Sequence, residues 1–139
     1  MEEKLAKHAA HPHAHYTVYD SLMRYAEKLD YGEIHTKIDN QTGLIAIIAI
    51  HSLKRGPAIG GCRMVHYPTI DVAVEDVLRL GYMMSFKAAI NNLPHGGAKS
   101  VLIKPKVIKD RDAYFEKFGE FINELNGCIL LRWIAALVH

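Results

Sequence analysis

Residues 32–50 read GEIHTKIDNQTGLIAIIAI, and this stretch decides the fold class. Its first half alternates, so a strand is predicted over 32–39 with Ile34, Thr36 and Ile38 on one face. Asp39 to Gly43 (DNQTG) is turn chemistry: small polar residues closed by a glycine. Leu44 to Ile50 is then continuously apolar and rich in β-branched isoleucine. A run with no polar side suits a strand covered on both faces. Two such strands joined by a short turn predict a hairpin.

Towards the N-terminus, Val18, Leu22, Tyr25 and Leu29 recur at helical spacing, which predicts one amphipathic helix from Tyr16 to Leu29. Towards the C-terminus, RGPAIGGCR at 55–63 reads as a glycine-rich loop. Thr69 is placed to cap a helix running to about Met83, with Asp71 and Glu75 at its positive end and Val74, Val77, Leu78 and Gly81 as its buried stripe. NNLPHGG at 91–97 reads as a second loop, and Ser100–Ile103 as a short strand stopped by Pro105. Asp110 or Asp112 caps a last helix whose core face is Phe118, Phe121, Ile122 and Leu125. The order α-β-β-α-(α)-β-α indicates an α/β sandwich around a mixed sheet. No repeat and no linker interrupts it.

The chain has 139 residues, one domain's worth, and 50% of them are hydrophobic, enough for a sizeable core. Lys and Arg number 17 against 15 Asp and Glu, and a formal charge of +2 argues against nucleic acid or an acidic membrane surface as partner. No stretch has the length of a membrane span or the pattern of a signal peptide. Cys62 and Cys128 fit neither a disulfide framework nor a CxxC site, so a reducing cytoplasm is the expected compartment. Residues 1–15 carry His8, His11, His13 and His15. A metal-binding tail is one reading, but no thiolate or carboxylate set accompanies them, and a solvated extension is the simpler one. No metal site is expected.

Two lysines stand in settings suited to chemistry. Lys87 ends the apolar stretch MMSFK at 83–87, and Lys99 directly follows Gly96-Gly97-Ala98. Burial and a nearby second cation both lower a lysine's pKa, and a lysine so tuned exchanges a proton near neutral pH. A second lysine that stays charged holds a carboxylate. On the residues alone, a lysine beside glycines is more often a surface residue at a turn, and Gly60-Gly61 reads equally as a tight turn.

The motifs in order are more specific. LIAIIAIH at 44–51, GPAIGGCRM at 56–64, EDVLRL at 75–80, MMSFKAA at 83–89, LPHGGAKS at 93–100 and GEFINELNG at 119–127 resemble the successive motifs of the Glu/Leu/Phe/Val amino-acid dehydrogenase family, over roughly residues 17–127, with the leucine type nearest. The resemblance implies a three-layer sandwich with a mixed, mostly parallel sheet, used for substrate binding and dimerisation. It implies oxidative deamination of a branched-chain L-amino acid to its 2-oxo acid and ammonia, with NAD reduced. By the family's motifs Lys87 binds the substrate carboxylate, Lys99 is the general acid/base, Gly60 contacts the substrate and Met84 lines the site. The implied partners are a small L-amino acid and further copies of the chain.

After Gly127 the sequence departs from the pattern. The family continues with a segment like R-Y-I-T-A-x-D-x-G-T, which supplies an essential aspartate, and then with an NAD-binding Rossmann domain. Here the chain reads CILLRWIAALVH over 128–139, and it has no G-x-G-x-x-G anywhere. Codons compatible with Cys128–Leu137 read, from the third base, as Tyr-Ile-Thr-Ala-Val-Asp-Ser-Gly-Thr. The expectation is therefore a polar tail over 1–15, a family domain over 16–127 and an aberrant, frameshifted apolar tail over 128–139. With it goes the expectation of no Rossmann domain, no NAD bound by this chain alone and no turnover by it. A non-catalytic oligomerisation or small-molecule-binding domain is the alternative. The gene's codons decide the origin of the tail.

Overall fold

The computed structural model describes residues 18–131, with the side chains of Val18, Tyr19 and Ser21 left aside. The His-rich extension, the first two residues of the predicted first helix and residues 132–139 lie outside the described residues. The elements run α1 (Val18–Leu29), β1 (Glu33–Asp39), β2 (Leu44–Ile50), β3 (Ala58–Gly60), β4 (Cys62–Val65), α2 (Ile70–Ile90), β5 (Gly96–Ile103), α3 (Arg111–Glu124) and β6 (Ile129–Leu131).

The hairpin forms as its sequence predicts. β1 and β2 pair antiparallel from Glu33↔Ile50 to Asp39↔Leu44. The Asp39 carboxylate closes the turn by accepting from the Thr42 backbone N–H at 2.9 Å and its hydroxyl at 2.6 Å. Gly43 takes a φ of 78°, a conformation that suits a residue without Cβ. The sheet order is β1-β2-β5-β3-β6, with β4 also pairing β5. Among the described residues, β2 meets β5 antiparallel, whereas β3–β5, β3–β6 and β4–β5 are parallel. The sheet is mixed, and three of its five pairings are parallel.

Strand alternation sorts the core into two halves. Ala46, Ile48 and Ile50 of β2 face α3, where they join Tyr114, Phe118 and Phe121. Ile47 and Ala49 face α2, where they join Ala73, Val74, Val77 and Leu78. β2 is buried along nearly its whole length because a helical layer lies on each face. Asp110 caps α3 by accepting from Ala113 N–H at 3.0 Å, and Thr69 caps α2 more loosely, at 3.4 Å from Val72 N–H. Burying Phe118 alone is worth about 3–5 kcal/mol against its alanine replacement.

Several expectations need correction. α2 does not stop near Met83; it continues to Ile90 and ends where Asn92 turns to a φ of 52°. Nothing between Met83 and Ile90 breaks a helix, and the apolar run there had hidden the periodicity. The stretch 55–63 is not one loop, because it contains β3 and the start of β4. β5 begins at Gly96 rather than Ser100, so the second Gly-Gly pair is strand and not loop. Ile38 shares the face of Ile34 but is 61% exposed. Ile129–Leu131 form β6 beside β3, in register from Ala58↔Ile129 to Gly60↔Leu131. No strand is legible there in the sequence.

Candidate functional site

The longer α2 matters because it puts Met84, Lys87, Ala88 and Asn91 at i, i+3, i+4 and i+7, on one helical face. That face looks onto the sheet at Gly60 and Gly61, where β3 passes into β4, and at β5. A pocket of about 330 Å³ opens there, lined by Ile59, Gly60, Gly61, Met84, Lys87, Ala88, Asn91, Leu93 and Lys99. All four residues singled out in the sequence, Gly60, Met84, Lys87 and Lys99, therefore line one pocket. Twelve residues separate the lysines in the chain; the packing of α2 on β5 brings them together.

Two close approaches make this packing possible. A Cβ on Gly97 would overlap the backbone nitrogen and hydroxyl of Ser85. With only hydrogen there, Gly97 N–H donates to Ser85 Oγ at 2.9 Å, and α2 sits directly on β5. Ser85 is in turn 2.7 Å from His51 Nδ1, and His51 Nε2 is 2.8 Å from the Leu29 carbonyl. Because a carbonyl only accepts, Nε2 carries a proton, and in the neutral imidazole the serine hydroxyl donates to Nδ1. Gly60 is constrained in the same way, since a Cβ would run into the Ala98 carbonyl. The floor of the pocket is therefore bare backbone.

Lys99 is half-buried on β5, on the face that also carries Val101 and packs against α2. Its pKa is held below the ordinary lysine value, first by burial, next by the Arg63 guanidinium, and to a smaller degree by Lys87. The carboxylate of Asp76 acts the other way. Cys62 projects to the opposite face, and burial pushes its thiol up to about 12, so at neutral pH it sets no charge against Lys99. The sequence expectation of a second cation thus has two sources. Lys87 is one; Arg63, not singled out in the sequence, is the stronger.

Arg63 belongs to a cluster on β4 and α2. Its Nη1 donates to Asp76 Oδ2 at 2.9 Å and Oδ1 at 3.3 Å. Tyr67 Oη donates to Oδ2 at 2.6 Å, and Arg79 Nη2 to Oδ1 at 3.0 Å. Burial pushes the Asp76 pKa up, but these donors outweigh it and hold the carboxyl below its ordinary value. A wider cleft of about 490 Å³ beside this cluster is open to solvent and contains neither lysine. The smaller pocket is the better candidate site, because it combines two amines with an apolar wall of Ile59, Met84, Ala88 and Leu93. Asn91 and Leu93 were legible only as loop residues, and Arg63 only as one letter of a motif.

Among the described residues no group of three or more His, Cys, Asp or Glu is placed to hold a metal ion, and both cysteines are free. No helix there is long and apolar enough to cross a membrane. The pocket suits a compact molecule with a carboxylate. A dinucleotide needs a strand, a glycine-rich turn and a helix N-terminus for its pyrophosphate, and these lining residues do not supply that unit.

Residues 30–132 match the model of the Glu/Leu/Phe/Val dehydrogenase dimerisation domain. Leucine dehydrogenase of Bacillus subtilis (strain 168) is 43% identical over 115 residues, which is 83% of this chain and 30% of that protein. Phenylalanine dehydrogenase of Thermoactinomyces intermedius is 48% identical over 88 residues, 63% of this chain and 24% of that one. The chain thus spans 30% or less of the length of these curated relatives. Among solved structures, L-tryptophan dehydrogenase from Nostoc punctiforme is similar with a TM-score of 0.73 and 32% identity, over 80% of this chain and 32% of that chain.

Proposed function

The chain belongs to the Glu/Leu/Phe/Val dehydrogenase family, and from that membership we propose that its pocket is the amino-acid-binding half of a leucine-type dehydrogenase site. In this reading the reaction is oxidative deamination of a branched-chain L-amino acid. Lys87 pairs with the substrate carboxylate. Gly60 and Gly61 let the substrate lie against backbone, and Met84, Ile59 and Leu93 meet an aliphatic side chain. NAD accepts the hydride in such a reaction. The pocket residues do not fit the dinucleotide, so they are assigned only binding and proton transfer.

The chemistry left to this chain is hydrolytic. Oxidation at the α-carbon produces an imino acid, to which water adds before ammonia leaves. Lys99, as a neutral amine, takes the proton from that water and returns a proton to the departing nitrogen. A carboxylate-binding cation beside a proton-accepting amine requires two lysines with separated proton affinities. The observation that supports the reading is their shared pocket, with burial bearing on Lys99.

Titrating the purified chain with 4-methyl-2-oxopentanoate or L-leucine, and following amide signals of residues 84–99, tests it. Lys87→Ala should weaken binding about 10- to 100-fold, the worth of a charge-assisted hydrogen bond. Equal affinity in Lys87→Ala would remove the assignment. A second reading, self-association, is favoured by the family's description as a dimerisation domain. It accompanies the first, since closed symmetric assembly is the usual form of such enzymes.

A further inference from the structure

Arg63 is absent from the pocket wall, yet it stands on the same face of the sheet as Lys99. Its register partner on β5 is Val101, two residues beyond Lys99, which makes Arg63 and Lys99 diagonal neighbours on adjacent strands. Arg63 is not free to swing away. Asp76, whose side chain is only 12% exposed, binds it through both carboxylate oxygens, and Tyr67 and Arg79 fix that carboxylate from other directions. Two guanidinium groups share one carboxylate, so the cluster keeps a net positive charge.

We propose that Arg63 is a positioning residue for the proton chemistry of Lys99: clamped by Asp76 and Tyr67, its fixed positive charge favours the neutral amine. The inference rests on the reading of Lys99 as the acid/base group. A charge held at one place on a partly desolvated face acts more strongly than a mobile surface charge. The charged and titratable groups facing Lys99 are few. β4 contributes Arg63, its Cys62 thiol lying buried on the opposite face, α2 contributes Lys87 and Asp76, and the β2 partner, Ala49, is apolar. Lys87 is reserved for the substrate carboxylate, whose negative charge cancels its influence once substrate binds. Arg63 is already partnered and stays as it is through the reaction. It is therefore the cation that keeps acting on Lys99 in the occupied site.

The test is an NMR titration of the lysine side chains in the full chain without substrate, with Lys99→Arg identifying the Lys99 signal. Arg63→Gln should move the Lys99 midpoint to higher pH, and Arg63→Lys, which keeps a cation, should restore most of the shift. Asp76→Asn removes a negative charge and should move the midpoint to lower pH. These opposite signs separate a charge effect from a structural one, because loosening the β4–α2 clamp would move both variants the same way. An unchanged midpoint in Arg63→Gln, or shifts of one sign in both variants, overturns the proposal. If Arg63→Gln does not fold, Arg63→Met, which keeps the apolar stem and removes the charge, decides: a raised midpoint supports the proposal, and an unchanged or lowered one overturns it. No substrate is present, so failure here is distinct from a failure of Lys87 to bind the 2-oxo acid.

Discussion

Lys99 illustrates how a residue proposed for proton transfer can cost stability. A lysine whose folded-state pKa is lowered binds fewer protons folded than unfolded between the two pKa values. Its contribution to stability therefore rises with pH across that window, and below it the buried charge is a net cost. Lys99→Met should raise the urea midpoint at pH 7, with a smaller gain near pH 10. Urea melts at the two pH values check the sign. Tyr114 presents the neutral counterpart: its hydroxyl is buried in the α3-side core and has no hydrogen-bond partner. Tyr114→Phe should leave stability unchanged or raise it by up to about 1 kcal/mol, because it removes an unsatisfied group without leaving a hole. At this scale the sequence was informative. Lys87, Lys99, Gly60 and Met84 were singled out from motifs, and all four line the pocket. Arg63 is not legible as such, since nothing in linear sequence marks an arginine as the diagonal neighbour of a lysine thirty-six positions later.

Between elements, the decisive contact is that of α2 with β5. Gly97→Ala would drive a methyl into the Ser85 backbone, which cannot yield without lifting α2 from the sheet. A loss of about 1–3 kcal/mol is expected, together with weaker 2-oxo acid binding, read by chemical denaturation and titration. β4 and α2 are joined by Asp76. A carboxyl whose folded-state pKa is depressed contributes stability above its unfolded value, and that contribution is lost as pH falls through the folded value. Wild-type stability should therefore fall in acid more steeply than that of Asp76→Asn, as denaturation midpoints between pH 6 and pH 3 would reveal. Most elements were legible because their signals are local: the β1–β2 turn, the Thr69 and Asp110 caps, the stripe of Val74, Val77 and Leu78. β3, β4 and β6 were not. Each is three or four residues long and exists only through its pairing with distant strands.

For the whole molecule, self-association is the prediction with a direct measurement. Light scattering on the purified chain should give a mass above the 15.6 kDa of one copy; a strict monomer at all concentrations would count against it. The architecture itself was readable. An uninterrupted apolar run at Leu44–Ile50 has no polar side to offer water, so a layer on each face follows from composition alone. The sequence by itself determined the class, the two capped helices, the β1–β2 hairpin and the types of residue available for chemistry. These depend on periodicity, turn residues and side-chain type, which act over a few neighbours. Only the tertiary structure decided that Lys87 is helical and Lys99 lies in a strand, that the two share a pocket, and that Arg63 is fixed beside Lys99. Those outcomes depend on how closely α2 can approach β5, a matter of missing Cβ atoms meeting backbone from other segments, which no local pattern encodes.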